Sequence, residues 1–270
     1  MSMATWIFCD SGSRSGKENM RLDEWLAEYW FTETRRPVFR LYGWSPFALS
    51  LGYHQSTGEI DVSNLTSAGY DLVRRPTGGR AVFHAEEITY SVIMDATGKS
   101  VDDVYESVSR VLASGLRAAG YDVAFAGGKQ NFSKLYREKS SVSCFTASSE
   151  FEIQLAGRKL VGSAQRRYSR RDGGVTALQH GSILTGPIHH KLVDFLNIDE
   201  TLKKKLKNSI RQSSTDLSEM SALPVDYTGL KNHLKDAAMQ HLAGGNFDEL
   251  DHAYFISRMK AEALSTEQIL

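Results

Sequence analysis

Arg74-Arg75-Pro76-Thr77-Gly78-Gly79-Arg80-Ala81-Val82-Phe83-His84, followed by Thr89-Tyr90-Ser91-Val92, is the stretch from which both the fold and the chemistry are read. Two arginines close a short strand, Asp71-Leu72-Val73. A Pro-Thr-Gly-Gly turn then leads directly into a second strand that opens on another arginine and carries a histidine. Paired glycines permit positive φ and let the backbone approach a ligand with no Cβ in the way. Arginine offers planar, permanently charged donors to a carboxylate or phosphate. A lone Gly-Gly would be read as a tight hairpin carrying surface charge. Arg75, Gly78, Gly79, Arg80 and His84 within ten positions point instead to a substrate-binding turn.

Outward from this hairpin, hydrophobic periodicity sets the elements. Trp6-Ile7-Phe8-Cys9-Asp10 reads as a first strand ended by the loop Ser11-Gly12-Ser13. Met20, Leu22, Trp25, Leu26 and Trp30 recur at helical spacing. Strands follow around Val38–Tyr42, Ala48–Tyr53 and Ile88–Met94. Ser100 is placed to cap a long helix running through Val104, Val108, Val111, Leu112 and Leu116, with Gly120 stopping it. Asp122–Phe125 reads as a strand and 127–149 as a loop without period. Glu150–Leu155, Ala156-Gly157 and Lys159–Gln165 form a second hairpin pattern, with the lysine opening the return strand. A strand over Val175–Leu184 precedes a helical tail: Lys191–Phe195, Glu200–Lys207, Tyr227–Leu242 and Glu249–Leu264. With no internal repeat and no Pro- or Gly-rich linker, residues 1–270 are expected to form a single catalytic domain. Residues 187–270 are its helical C-terminal segment.

The 270 residues are 41% hydrophobic, enough for a sizeable core. Lys+Arg 32 against Asp+Glu 32 gives a formal net charge of +0, which argues against a whole-chain nucleic-acid binder. Met1-Ser2-Met3-Ala4-Thr5-Trp6 lacks a basic region leading into an apolar run, so no signal peptide is expected. The apolar runs are too short to span a bilayer. Two cysteines are too few for a disulfide scaffold and fit a reducing cytoplasm.

Cys9 lies among strand residues and reads as inert core. Cys144 lies in the polar run Ser140-Ser141-Val142-Ser143-Cys144-Phe145, so from spacing alone it is either a thiolate nucleophile or a merely exposed thiol. Lys159 precedes Leu160-Val161-Gly162-Ser163-Ala164. It is either a snorkelling edge lysine or an ammonium at the mouth of an apolar slot, able to polarise an acyl carbonyl; the small residues after it favour the second. His189-His190 has no partners at metal-ligand spacing, and no metal site is read. Arg166, Arg167, Arg170 and Arg171 follow the lysine strand with only Tyr168 interleaved. That suits docking of an acidic protein better than nucleic acid.

Four further blocks stand in order around the opening stretch: Leu41-Tyr42-Gly43-Trp44, Leu51-Gly52-Tyr53-His54-Gln55, Gly157-Arg158-Lys159-Leu160-Val161-Gly162-Ser163-Ala164-Gln165 and Leu178-Gln179-His180-Gly181-Ser182-Ile183-Leu184. With the arginine–glycine signature they resemble the biotin/lipoate protein ligase catalytic domain, in its lipoate/octanoate branch, over about residues 5–190. The resemblance implies an α+β fold: a mixed, largely antiparallel sheet with packed helices, like the catalytic domain of class II aminoacyl-tRNA synthetases and biotin synthetase. It implies an acyl pocket bounded by Arg75, Gly78, Gly79, Arg80, His84, Gly162, Ser163, Ala164 and His180, with Lys159 at the acyl carboxyl end. Protein octanoyltransferases of this superfamily carry an acyl-accepting cysteine just before the Glu-Phe-Glu strand and the Gly-Arg-Lys motif. Ser143-Cys144-Phe145, Glu150-Phe151-Glu152-Ile153 and Gly157-Arg158-Lys159 repeat that order. The implied activity moves an octanoyl group from acyl carrier protein, through a Cys144 thioester, to a lysine of a lipoyl domain or glycine cleavage H protein, without cofactor. The alternative is an ATP-dependent lipoate–protein ligase using Mg-ATP, a class that commonly adds a C-terminal accessory domain for which this chain leaves little room. A non-catalytic acyl-binding module is disfavoured by the presence of both Cys144 and Lys159.

Overall fold

The computed structural model describes residues 5–126, 151–220, 224–245 and 247–267. Its strands are β1 (Trp6–Arg14), β2 (Val38–Trp44), β3 (Ala48–Leu51), β4 (Asp71–Arg74), β5 (Val82–His84), β6 (Glu87–Asp95), β7 (Val123–Phe125), β8 (Ile153–Leu155), β9 (Arg158–Lys159), β10 (Val161–Ser169), β11 (Val175–Leu184) and β12 (Phe247–Glu249). The principal helices are α1 (Gly16–Trp25), α2 (Phe31–Thr34), α3 (Val62–Ser67), α4 (Val101–Ala118), α5 (Glu200–Ser213), α6 (Tyr227–His241) and α7 (His252–Glu267). A π turn, Leu26–Trp30, joins α1 to α2, so the long amphipathic segment runs on without a break in direction of winding. Ser15 with Glu18, and Ser100 with Asp103, form capping boxes that start α1 and α4. Gly120, at φ 92°, follows the end of α4.

Six strands form the main sheet in the order β10-β11-β6-β2-β1-β12. The three pairs from β10 to β2 are antiparallel, and β1 pairs parallel with both β2 and β12. Ser11-Gly12-Ser13 is not a loop but a register irregularity inside β1. The C-terminal segment is not purely helical either: Phe247–Glu249 adds a parallel edge strand on β1. Leu230 and Leu234 of α6 and Phe255 of α7 pack on the main sheet, whereas Leu206 and Ile210 of α5 pack with Leu49 and Leu51 of β3 and Phe83 of β5.

The sequence of β6 explains the layering. Ile88, Tyr90, Val92 and Met94 point into a core shared with α4 and α6. Glu87, Thr89 and Ser91 alternate onto the opposite face, beneath α1, where they are buried yet polar. Phe39 and Leu41 of β2 follow the first set; Arg40 and Tyr42 follow the second. Beyond the polar patch, Ile7, Leu22, Leu26, Trp30 and Phe255 form a second apolar core under α1 and α7.

The signature stretch is not a hairpin. In a separate three-stranded sheet β3 lies between β4, which runs parallel to it, and β5, which runs antiparallel. Pro76–Ala81 therefore crosses over the end of β3. The crossing is tight: a Cβ on Gly52 would overlap the Gly79 backbone, and Gly79 itself sits at φ 98°. The lysine hairpin is also shorter than the sequence suggests. β8 and β9 turn through Ala156 (φ 50°) and Gly157 (φ 75°), and after Leu160 the chain leaves for the main sheet as β10.

Candidate active site

A cavity of ≈ 280 Å³ opens between the main sheet, the β4-β3-β5 sheet and a further three-stranded sheet, β7-β8-β9. Met20, Trp44, Val82, Gly162 and Ala164 give it an apolar side. Lys159, Glu152, His84, His180 and Ser182 supply polar groups. Lys159 and Glu152 are both buried and form an ion pair in the wall. Placed at the end of β9, the ammonium sits next to the small-residue run of β10, with the carboxylate keeping it there.

Two hydrogen-bond networks stand behind the cavity. In one, Asp23 of α1 is fully buried and accepts from Arg40 (2.7 Å), the Tyr42 hydroxyl (2.9 Å) and Ser91 (2.8 Å). Burial alone would raise its carboxyl, but the Arg40 guanidinium and the His180 and Ser91 donors reverse this and hold it below the usual aspartate range. Burial of Tyr42 beside Asp23 pushes its hydroxyl up, so it stays a donor. His180 Nδ1 lies 3.1 Å from Asp23 and its Nε2 lies 2.7 Å from the Thr77 hydroxyl. Burial lowers the His180 pKa, and a carboxylate can only accept, so Nδ1 carries the proton and Nε2 accepts from Thr77. The loop that crosses β3 is thus pinned from below.

In the other network, Arg75 donates to the carbonyls of Gly78 (2.7 Å) and Arg80 (2.7 Å) and to the Ser50 hydroxyl (3.1 Å). Ser50 meets His84 Nε2 at 2.8 Å, and His84 Nδ1 meets Glu87 at 2.8 Å. Trp44 stacks on the His84 ring at 4.0 Å and donates to Thr89 (2.7 Å). Burial would raise the Glu87 carboxyl, but His84, Thr89 and Ser182 hold it below the usual glutamate range.

Arg75, Gly78, Gly79, His84, Lys159, Gly162, Ser163, Ala164 and His180 all line the one cavity. Arg75 does so with its donors turned to backbone carbonyls, so it shapes the loop rather than presenting a fork to solvent. Arg80 is not in the cavity lining and runs toward Glu59. Cys144 lies outside the described residues; Glu152, eight positions on (152 − 144), lines the cavity. Cys9 is core, with burial raising its thiol pKa.

The four downstream arginines do not share a surface. Arg166 and Arg167 are strand residues of β10 and alternate to opposite faces. Arg166 donates to the Pro76 carbonyl and lies over the Tyr53 ring, whereas Arg167 donates to the carbonyls of Ala96 and Lys99. Arg170 is tied to Asp95 and Asp172, and Arg171 is exposed in the turn beyond. His189 is satisfied by Ser214 and the Gly186 carbonyl.

Asp23, Arg40, Glu87 and Glu152 were not singled out from the sequence. Their signal was there: Asp23 stands among the apolar positions of α1, and Arg40 and Glu87 stand at buried positions of otherwise apolar strands.

Residues 15–239 match the model of the lipoyl protein ligase A/B catalytic domain. The chain is 38% identical to octanoyltransferase LipM of Symbiobacterium thermophilum, over 82% of this chain and 81% of that one. It is 36% identical to octanoyltransferase LipM of Bacillus subtilis, over 96% of both. Among solved structures it is similar to the bipartite lipoate protein ligase of Thermoplasma acidophilum, with TM-score 0.74 and 18% identity, covering 96% of this chain and 91% of that chain. A lipoate-protein ligase A bound with ATP gives TM-score 0.72 at 18% identity, over 96% and 93%. At that identity the structures speak to the fold.

Proposed function

The chain belongs to the lipoyl protein ligase A/B catalytic domain family and is an octanoyltransferase of lipoate biosynthesis, and from that premise we propose that it transfers octanoyl from acyl carrier protein through a thioester on Cys144. The acceptor is a lysine of a lipoyl domain or of glycine cleavage H protein. Residues 1–270 act as one catalytic body. The observation that carries the reading is the buried Lys159–Glu152 pair at the wall of an otherwise largely apolar cavity.

The Cys144 thiolate attacks the carbonyl carbon of the donor thioester. The C–S bond to the carrier breaks, and the carrier thiolate leaves and takes up a proton. Lys159 donates to the carbonyl oxygen as negative charge gathers on it. The neutral amine of the acceptor lysine then attacks octanoyl-Cys144. The amide forms, the Cys144 thiolate is released, and the amine proton passes to solvent. Gly162, Ser163 and Ala164 leave room for the acyl chain, while the loop of Gly78 and Gly79 closes the far side. The incoming thioester is already activated, so the reaction needs no cofactor.

Intact-mass analysis after incubation with octanoyl-acyl carrier protein, without ATP, tests this. The expected result is one octanoyl group on the wild type and none on Cys144→Ser, with Cys9→Ser behaving as wild type. Normal turnover by Cys144→Ser, or activity that needs free acid and Mg-ATP, would replace the thioester route with the ligase reaction.

A further inference from the structure

A second groove adjoins the cavity and shares Met20 and Arg75 with it. Lys17 and Arg21 line it from α1, Arg74 from β4 and Tyr53 from the loop after β3. Its charged lining is Lys17, Arg21, Arg74 and Arg75 against Glu24 alone, a local excess of three (4 − 1) on a chain whose net charge is +0. Arg166, lying 4.5 Å over the Tyr53 ring, adds a further cation at the rim. Glu28 stands near it, its carboxyl raised by burial and by Glu24.

Some cations of this chain are answered by a carboxylate and others are not. Arg35, Arg36, Arg110, Arg158, Arg170, Lys231 and Lys235 each lie within 4 Å of a carboxylate. Lys17, Arg21, Arg74 and Arg166 form no ion pair among the described residues. Arg74 gives its donors to the carbonyls of Gly52, Tyr53 and Gln55, which hold the guanidinium in place without cancelling its charge. Lys17, Arg21, Tyr53 and Arg74 are all exposed. Unpaired positive charge around an exposed aromatic ring, beside the acyl cavity, complements an acidic protein surface.

We infer that this groove, and not the row of arginines after Lys159, is the docking face for the acidic carrier domain that delivers the acyl thioester. The inference rests on the donor assigned under the proposed function. It places the carrier over α1 and the loop after β3, so that its thiol-linked chain enters the cavity past Met20 and Arg75.

The test is direct binding, which does not depend on turnover. Affinity of fluorescently labelled octanoyl-acyl carrier protein is measured by anisotropy for the wild type, for Lys17→Glu/Arg21→Glu, and for Lys204→Glu/Lys205→Glu. The last carries the same charge change on exposed residues of α5 that line neither pocket. The groove variant is expected to bind about tenfold or more weakly at low salt, with the difference shrinking as salt rises. The α5 variant should bind within about twofold of wild type. Turnover of octanoyl-pantetheine, which has no acidic surface, should be the same for all three proteins. Unchanged affinity in the groove variant, equal loss in both variants, or weakened binding of a lipoyl acceptor domain instead of the carrier would overturn the assignment. If the carrier binds through the groove but no acyl group moves, the docking face stands and the donor reading of the proposed function fails.

Discussion

At the scale of single residues, the site is built on charges that are buried and answered. Removing one partner is therefore far more costly than removing two. Lys159→Ala should slow acylation of the enzyme by about 10²–10³-fold, as loss of an oxyanion donor does. It should also lower thermal stability, because Glu152 remains buried without its ammonium. Lys159→Met with Glu152→Gln separates the two effects: melting temperature should return toward wild type while the acylation rate stays low. A double variant with wild-type acylation would leave Lys159 a purely structural residue. Asp23→Asn is the parallel case behind the cavity. It leaves the fully buried Arg40 guanidinium without its counter-charge, at a cost of about 3–5 kcal/mol, readable by denaturant unfolding.

At the scale of elements, the crossing loop is held by Arg75 from one side and by Thr77–His180 from the other. Its two glycines are not equivalent. Gly79 holds a positive φ, whereas a Cβ at Gly78 would meet open space. Gly79→Ala should cost about 1 kcal/mol or more, a fall in melting temperature of about 2–4 °C. Gly78→Ala should leave the melting temperature close to wild type. Gly52→Ala should do more than either, since its Cβ meets backbone and the loop has to move. The expected signature is a raised KM for a small octanoyl thioester in a protein that still folds. Equal melting temperatures for all three variants would mean that the loop is not packed as described.

At the scale of the whole molecule, acid stability follows from the histidines. Burial lowers the pKa values of His180, His189, His190 and His252, that of His190 to about 4. Below pH ~6.5 the unfolded chain takes up protons that the folded chain refuses, so stability is full above that pH and falls as pH drops toward the folded values. His180 alone, being buried, contributes a slope of up to about 1.4 kcal/mol per pH unit. Asp23 and Glu87, whose values are lowered, keep their contribution until pH falls below the ordinary carboxylate range. Melting temperature should therefore decline steadily from pH 6.5 to 5, and His180→Gln should flatten the decline. A pH-independent melting temperature over that interval would contradict a neutral, buried His180. No helix among the described residues is long and apolar enough to cross a membrane.

Sequence by itself determined most element positions and the capped start and glycine stop of α4, while its resemblance to a known family implied the α+β class and most of the residues that gather at one cavity. The element positions are local properties: period two or period 3.6 records which face is buried, and glycine records where φ turns positive. Only the tertiary structure decided that β3 lies between β4 and β5, that β12 returns to the sheet edge, and that Lys159 is paired with Glu152. Pairing between strands distant in sequence leaves no period in either strand, so the signature stretch reads as a hairpin although its two strands never touch. The same reason scattered the four downstream arginines. They are neighbours along the chain, but alternation along β10 and the carboxylates of Asp95 and Asp172 give them different surroundings. Lys17, Arg21 and Arg74 lie in two elements far apart in sequence, and only packing α1 against β4 brings them to one groove.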